Sequence, residues 1–253
     1  MTGSWDERMD RPATRFLGLD FQPMTTAEAT RFLAETASAA APFTYVVTPN
    51  VDHRIRLERE PALRPLYDAA GLVLNDSRIL ELLARQDGID LPASPGADIV
   101  EALFADVIRP DETVTIVGGD EAMEAALKAR YGLTDVRRHA PPFGLRHKPE
   151  AIAAAATFLA ANPARFHFLC VGSPQQEMVA HAALALGTAT GIGLCCGASL
   201  DFLSGKTARA PAWMRRARLE WLHRLTQQPG RLARRYLVEG PAIFRIWQRV
   251  RRG

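Results

Sequence analysis

Long apolar runs are missing from this chain. No uninterrupted stretch approaches the ~18 residues that cross a bilayer, and residues 1–12 are polar and of mixed charge, without the apolar segment of a secretion signal. Cysteine is scarce too. Cys170, Cys195 and Cys196 form no C-x-x-C pair and meet no histidine cluster at zinc-finger spacing. They are therefore expected to be reduced core residues, with no disulfide framework and no metal site. No G-x-G-x-x-G follows the first expected strand, as a dinucleotide-binding fold would require. The later Gly191, Gly193 and Gly197 depart from that spacing and come last in chain order. These absences point to a cytoplasmic protein with no resident cofactor, touching a membrane from its inner surface only.

What is present describes a globular chain. The 253 residues are 47% hydrophobic and 23% charged, enough for one full core plus an appendage. The formal charge of +3 hides a division: residues 205–253 hold 13 of the 31 Lys and Arg against two acids, Glu220 and Glu239. That end carries about +11 and the remainder about −8, so the pI near 9.0 belongs to the tail. A basic block of this kind suits phosphate-rich partners: an anionic membrane, a diphosphate or a nucleic acid.

Along the chain, short β-rich runs alternate with amphipathic stretches, which predicts a Rossmann-like layered α/β fold with a largely parallel sheet. Strands are expected at 15–19, 43–48, 71–74, 113–117, 134–138, 166–171 and 188–193. Thr25 and Glu28 have capping-box spacing and open a helix expected to reach residue 40. Residues 53–67 read as helix broken by Pro61 and Pro65, and further helices are expected at 78–85, from 97, up to 131, at 149–161 and from 175. Asp120 is placed to cap the helix that Gly132 stops. After Gly205 the alternation ends and Arg- and Trp-rich helical segments follow. The expected division is a core over 13–204 and a basic helical appendage over 205–253.

In open parallel sheets, ligands bind beyond the carboxyl ends of the strands. The polar and glycine residues there are Thr48-Pro49-Asn50, Asn75-Asp76, Gly118-Gly119, Gly172 to Glu177 and Gly197 to Asp201. Each has an ordinary reading as well. Gly118 and Gly119 suit phosphate or sugar contact, or simply a turn. Asp76 is either a reactive carboxylate or a cap for the helix near Arg78, and Asp201 is a ligand contact or a turn residue. Gly172, Pro174 and Gln176 are more informative, because a strand ending in glycine, proline at the helix start and amides in the first turn make an anion- and sugar-binding terminus.

The chain resembles the WecG/TagA/CpsF glycosyltransferase family. The likeness rests on V-V-T-P-N (46–50), the Asp76 element, V-G-G (117–119), V-G-S-P-Q-Q-E (171–177), C-G-A-S-L-D-F-L-S-G-K (196–206), R-A-P-A-W-M (209–214), L-E-W-L-H-R-L (219–225) and R-R-Y-L (234–237). The resemblance implies inverting transfer from a UDP-sugar, typically UDP-N-acetylmannosamine, to a sugar on a polyprenyl diphosphate, in cell-surface polysaccharide synthesis. It also implies a basic appendage packed near the site at the membrane, and it places the family's catalytic Asp on Asp76 and its strand-end Thr on Thr48. The donor-binding Asn, Gln and Asp fall on Asn50, Gln176 and Asp201, and the appendage arginines on Arg224, Arg231 and Arg234. In one respect the sequence departs from the family: Asp76-Ser77-Arg78 stands where many members have Asp-Gly, so the surface offered to the sugar differs.

Inverting transfer needs a base for the acceptor hydroxyl, a role assigned to Asp76. Charge growing on the leaving diphosphate needs preorganised stabilisation. The chain has no Asp-x-Asp motif of the kind that holds a metal in many transferases, so forked guanidinium groups of the tail are the expected substitute. Trp213, Trp221, Tyr236 and Trp247 interleave with those arginines, either as headgroup contacts or as core contacts between tail and body. A nucleic-acid-binding protein and a nicotinamide-dependent oxidoreductase are the rival readings. The first lacks a recognised motif and has an acidic body; the second lacks the early glycine fingerprint. Self-association is compatible with the sequence.

Overall fold

The computed structural model describes residues 12–208, Met214, Gly230 and 239–252. Six strands form one parallel sheet: β3 (Thr44–Val47), β4 (Leu72–Val73), β5 (Val114–Gly118), β6 (Val136–His139), β7 (Phe166–Cys170) and β8 (Ile192–Cys195). Their spatial order is β4-β3-β8-β7-β5-β6, so the fold is α/β with helices covering both faces.

Alternation along each strand divides the core in two. Tyr45, Val47, Val117, Leu169 and Cys195 face one layer, while Val46, Ile116, Phe166, Phe168, Ile192 and Leu194 face the other. The first layer packs on α2 (Val51–Arg59), α7 (Pro149–Ala161) and α8 (Gln175–Leu186). The second packs on α1 (Thr26–Thr36), α5 (Gly96–Ala102) and α6 (Glu121–Tyr131).

Several expected elements appear where local chemistry put them. The Thr25 and Glu28 capping box is formed reciprocally, and Asp120 Oδ1 accepts from the Met123 amide at 2.9 Å to cap α6. That helix ends on Gly132 in the left-handed conformation. Pro61 and Pro65 each start a new short turn after α2, a 3₁₀ turn at Pro61–Leu63 and α3 at Pro65–Asp68.

Three expectations are corrected. Residues 15–19 are not a strand of the parallel sheet. They fold into an antiparallel hairpin of β1 (Thr14–Phe16) and β2 (Leu19–Phe21), because Leu17 and Gly18 both take positive φ, 47° and 81°, as a tight hairpin turn demands. α1 stops at Thr36, short of residue 40, as Ala37 turns extended. The last strand is Ile192–Cys195 and not 188–193: Gly187 ends α8 left-handed and Gly191 has φ 85°, so pairing starts only beyond them. A Cβ on Gly191 would lie 2.0 Å from the Ala164 carbonyl oxygen.

The last helix described, α10 (Ala242–Arg252), buries Ile243, Ile246 and Trp247 in the same core layer as α2. Trp247 Nε1 donates to Asp87 Oδ2 at 2.7 Å, and Arg251 pairs with the other Asp87 oxygen at 3.0 Å. Trp247 is thus a core contact. Trp213, Trp221 and Tyr236 lie outside the described residues.

Candidate functional site

The carboxyl ends of β3, β4, β5, β7 and β8 open on the same edge of the sheet, since all the strands run parallel. At the end of β3 the chain leaves Thr48 and turns at Pro49 into Asn50, the cap of α2. Asn50 Oδ1 accepts from the amides of Asp52 at 3.1 Å and His53 at 3.4 Å. With its oxygen held there, the amide group Nδ2 is left facing Asp76, to whose Oδ2 it donates at 3.4 Å.

Asp76 follows β4 and is held on three sides. Its amide donates to the Pro49 carbonyl at 3.1 Å. Its Oδ1 accepts from the Gly96 amide, the first residue of α5, at 3.2 Å. Asp76 therefore does not cap the following helix α4 (Arg78–Gln86), a role taken by Ser77, whose hydroxyl accepts from the Leu80 amide at 3.3 Å. Asn75 is structural: its Oδ1 accepts from the Ser77 amide at 2.9 Å and its Nδ2 donates to the Leu91 carbonyl at 3.3 Å. Thr48 stands beside this group, because a Cβ on Gly96 would approach its Oγ1 to 2.8 Å. Thr48, Asn50 and Asp76 thus form one cluster around the start of α5.

A second cluster lies across β7 and β8. Gly172 has φ 75° and Ser173–Pro174 is a cis peptide, and α8 begins at Gln175. Gln176 is buried; its Oε1 accepts from the Gly197 amide at 2.9 Å and its Nε2 donates to Glu177 Oε1 at 3.0 Å. The two clusters are joined by groups to which the sequence reading gave no role. Arg56 of α2 donates to Ser173 Oγ at 2.8 Å and to Asp52 Oδ2 at 2.9 Å, and His53 Nε2 stands 3.8 Å from Glu177 Oε1. The available signal for His53 is its place three residues after Asn50, the capping-box spacing that the structure bears out.

The third group is at β5. Gly118 and Gly119 have φ 105° and 64°, and a Cβ on Gly118 would press within 3.0 Å of the Cys170 carbonyl oxygen at the end of β7. Both positions hold a backbone conformation that residues with a Cβ rarely adopt. Arg138 of β6 donates to the Gly119 carbonyl at 3.4 Å. Asp120 pairs with Lys206 at 2.6 Å, and the Lys206 ammonium holds its carboxyl below the ordinary range. Asp201, on α9 (Ser199–Leu203), is pushed the other way, chiefly by burial, with the Asp120 charge adding and Lys206 opposing. Its amide donates to Ala198 O and its carbonyl accepts from Thr207, which makes it a turn residue as well.

The three cysteines are free. Cys170, the last residue of β7, and Cys196, just past β8, have their sulfurs 3.3 Å apart, and the Cys196 thiol raises the Cys170 thiol's resistance to ionisation, with burial adding. Among the described residues, no group of three or more His, Cys, Asp or Glu is placed to hold a metal, and no helix is long and apolar enough to cross a membrane. Arg224, Arg231 and Arg234 lie outside the described residues.

The arrangement offers a partly buried carboxylate fixed through both oxygens, next to a rim of glycine turns and helix amino termini suited to anionic oxygens. The model of the WecG/TagA/CpsF glycosyl transferase family matches residues 14–253, and the chain belongs to that family.

Proposed function

We propose that this glycosyltransferase moves a hexose, N-acetylmannosamine or a relative, from a UDP-sugar to a sugar carried on a polyprenyl diphosphate, with inversion, in cell-surface polysaccharide synthesis. The observation that carries the proposal is Asp76. Its two oxygens are held by the Asn50 side chain and the Gly96 amide, which orients the carboxylate plane. In the reaction Asp76 takes the proton of the acceptor hydroxyl as that oxygen bonds to the anomeric carbon. The bond from the same carbon to the diphosphate oxygen breaks on the opposite face, and UDP leaves with the electron pair.

The growing charge on UDP falls to the glycine turns at Gly118-Gly119 and Gly172, to the amino terminus of α8 with Pro174 and Gln176, and to Gly197. Arg224, Arg231 and Arg234 complete this set in the proposal, so that transfer proceeds without a metal. Thr48 contacts the reacting sugar beside Asp76, and Asp201 contacts the donor. The basic segment 205–253 places the enzyme on anionic headgroups at the inner face of the membrane. Supporting this, α10 leaves Phe244 and Val250 exposed among Arg245, Arg249, Arg251 and Arg252.

The test is transfer of radiolabel from a panel of UDP-sugars to polyprenyl-diphosphate-linked GlcNAc or glucose, with chelator present, alongside Asp76→Asn. The expected result is transfer from one donor in chelator and a loss of about 10²–10⁴-fold in kcat in the variant. Wild-type turnover by Asp76→Asn would remove the base assignment.

A further inference from the structure

We propose that Glu177 and His53 form a buried positioning pair for the reacting carboxylate, holding Asn50 against Asp76 while the same Glu177 carboxyl fixes the amide of Gln176. The inference rests on the reading of Asp76 as the base.

The contacts run in one line. His53 Nδ1 lies 3.2 Å from the Asn50 amide nitrogen and 2.8 Å from Asn50 Oδ1. In either protonation state the ring therefore bonds Asn50, as acceptor from its N–H or as donor to its oxygen. The other ring nitrogen faces Glu177 Oε1 at 3.8 Å, and Asn50 Nδ2 reaches Asp76. From the same carboxyl, Gln176 takes its orientation, with Nε2 on Glu177 and Oε1 on the Gly197 amide. One buried side chain thus sets the amides of two residues in the site.

Stability does not account for Glu177. The residue is 1% exposed, and its Oε2 is buried without a hydrogen-bond partner. A carboxyl in that condition opposes folding, and a neutral isostere would serve a purely structural role better. Burial pushes the carboxyl up, with the Gln176 amide, Ser173 and Arg56 opposing. Facing it are His53 and Arg56 of α2, Tyr45 of β3, Tyr67 of α3 and Cys195 of β8. None of these supplies a second carboxylate to share its proton. Ionised, Glu177 accepts from Gln176 and attracts the His53 N–H; protonated, it still accepts from Gln176, more weakly, and loses the charge that draws His53. Activity is thus expected to rise with pH as this carboxyl ionises, above the usual carboxylate range.

The deciding variant is Glu177→Gln in the full-length protein, with His53→Ala and the double variant. Expected are a Tm equal to or above wild type, a kcat lower by about tenfold or more and a donor KM within about twofold. The acid limb belonging to Glu177 should vanish from the kcat profile. The double variant should lose no more than the worse single one. Wild-type kcat and pH profile in Glu177→Gln would overturn the pair, as would a matched fall in Tm and kcat, the mark of a structural residue. Failure of the base reading is distinguishable, because Asp76→Asn would then turn over normally. Should Glu177→Gln not fold, independent losses in His53→Ala and Asn50→Ala that add in full would overturn the pair in the same way.

Discussion

Two buried polar residues, His167 in the middle of β7 and Glu177 in the first turn of the helix that follows, lie in one β-α unit and are treated oppositely by their surroundings. His167 is fully buried with both ring nitrogens engaged. Its Nε2 meets the Thr190 carbonyl at 2.6 Å, and its Nδ1 meets Thr115 Oγ1 at 2.5 Å. A carbonyl only accepts, so Nε2 carries a proton; burial, which lowers the ring's pKa to about 4, leaves Nδ1 unprotonated at neutral pH to accept from the threonine hydroxyl. Glu177 has one oxygen engaged and one orphaned. The first arrangement satisfies both nitrogens of the ring and pins β7 to β5 and to the approach of β8. The second leaves a polar deficit at the edge where the site opens. Buried groups that are fully bonded hold a fold together; a buried group left short needs another reason to be there.

That contrast breaks most visibly at His167. Replacing it by Leu keeps the volume but strands the Thr115 hydroxyl and the Thr190 carbonyl, at a penalty of about 2–4 kcal/mol for two buried orphans. Thermal unfolding should drop by roughly 5–15 °C for a chain of this size. At a temperature where the variant is folded, kcat for transfer should match wild type. A variant that kept its Tm and lost turnover would place His167 with Glu177 and dissolve the distinction.

How much of this was open to sequence reading depends on the distance over which each residue acts. Thr25 with Glu28, Asp120 with Gly132, and the proline breaks at 61 and 65 are local signals, and the structure follows them. The hairpin at Leu17-Gly18 was missed because one apolar residue at positive φ leaves no compositional trace beside a single glycine. β8 was placed early because Thr188 and Thr190 are β-formers, while the Gly187 and Gly191 that flank them act through backbone conformation. In the site, Thr48, Asn50 and Asp76 were legible because strand ends are where a parallel sheet exposes its functional groups. The link from Glu177 to His53 has no spacing to find. It joins two helices that only the sheet order brings together, and α8 meets α2 only after β8 has been inserted between β3 and β7.

The acid side of the stability curve sharpens the contrast further. Burial lowers the His167 pKa from 6.5 to about 4, against the weaker upward pull of its backbone hydrogen bonds. Between those values the unfolded chain binds a proton that the folded chain refuses, so stability is complete above pH 6.5 and falls as the pH drops towards 4. The loss from this residue should be about 2 kcal/mol at pH 5. Urea unfolding at pH 7 and pH 5 measures it, and His167→Leu should remove that part of the difference. If the variant lost stability with acid as steeply as wild type, the imidazole would not be the group held neutral.

The smallest effect extends the comparison to a pair that is satisfied but exposed. In the capping box of α1, the Glu28 amide donates to Thr25 Oγ1 at 3.3 Å and the Thr25 amide donates to Glu28 Oε2 at 2.7 Å. Nothing in this box is desolvated to the degree of His167, so its removal exposes orphan amides to water and leaves no buried one. Thr25→Ala should lower stability by about 1 kcal/mol, a Tm shift of roughly 2–4 °C, with transfer kinetics unchanged. The box opens a helix in the core layer opposite to that of α2, and its two partners bond each other. A change in kcat or donor KM in this variant would mean that α1 is coupled to the site, and that satisfaction of polar groups does not separate framework from function in this fold.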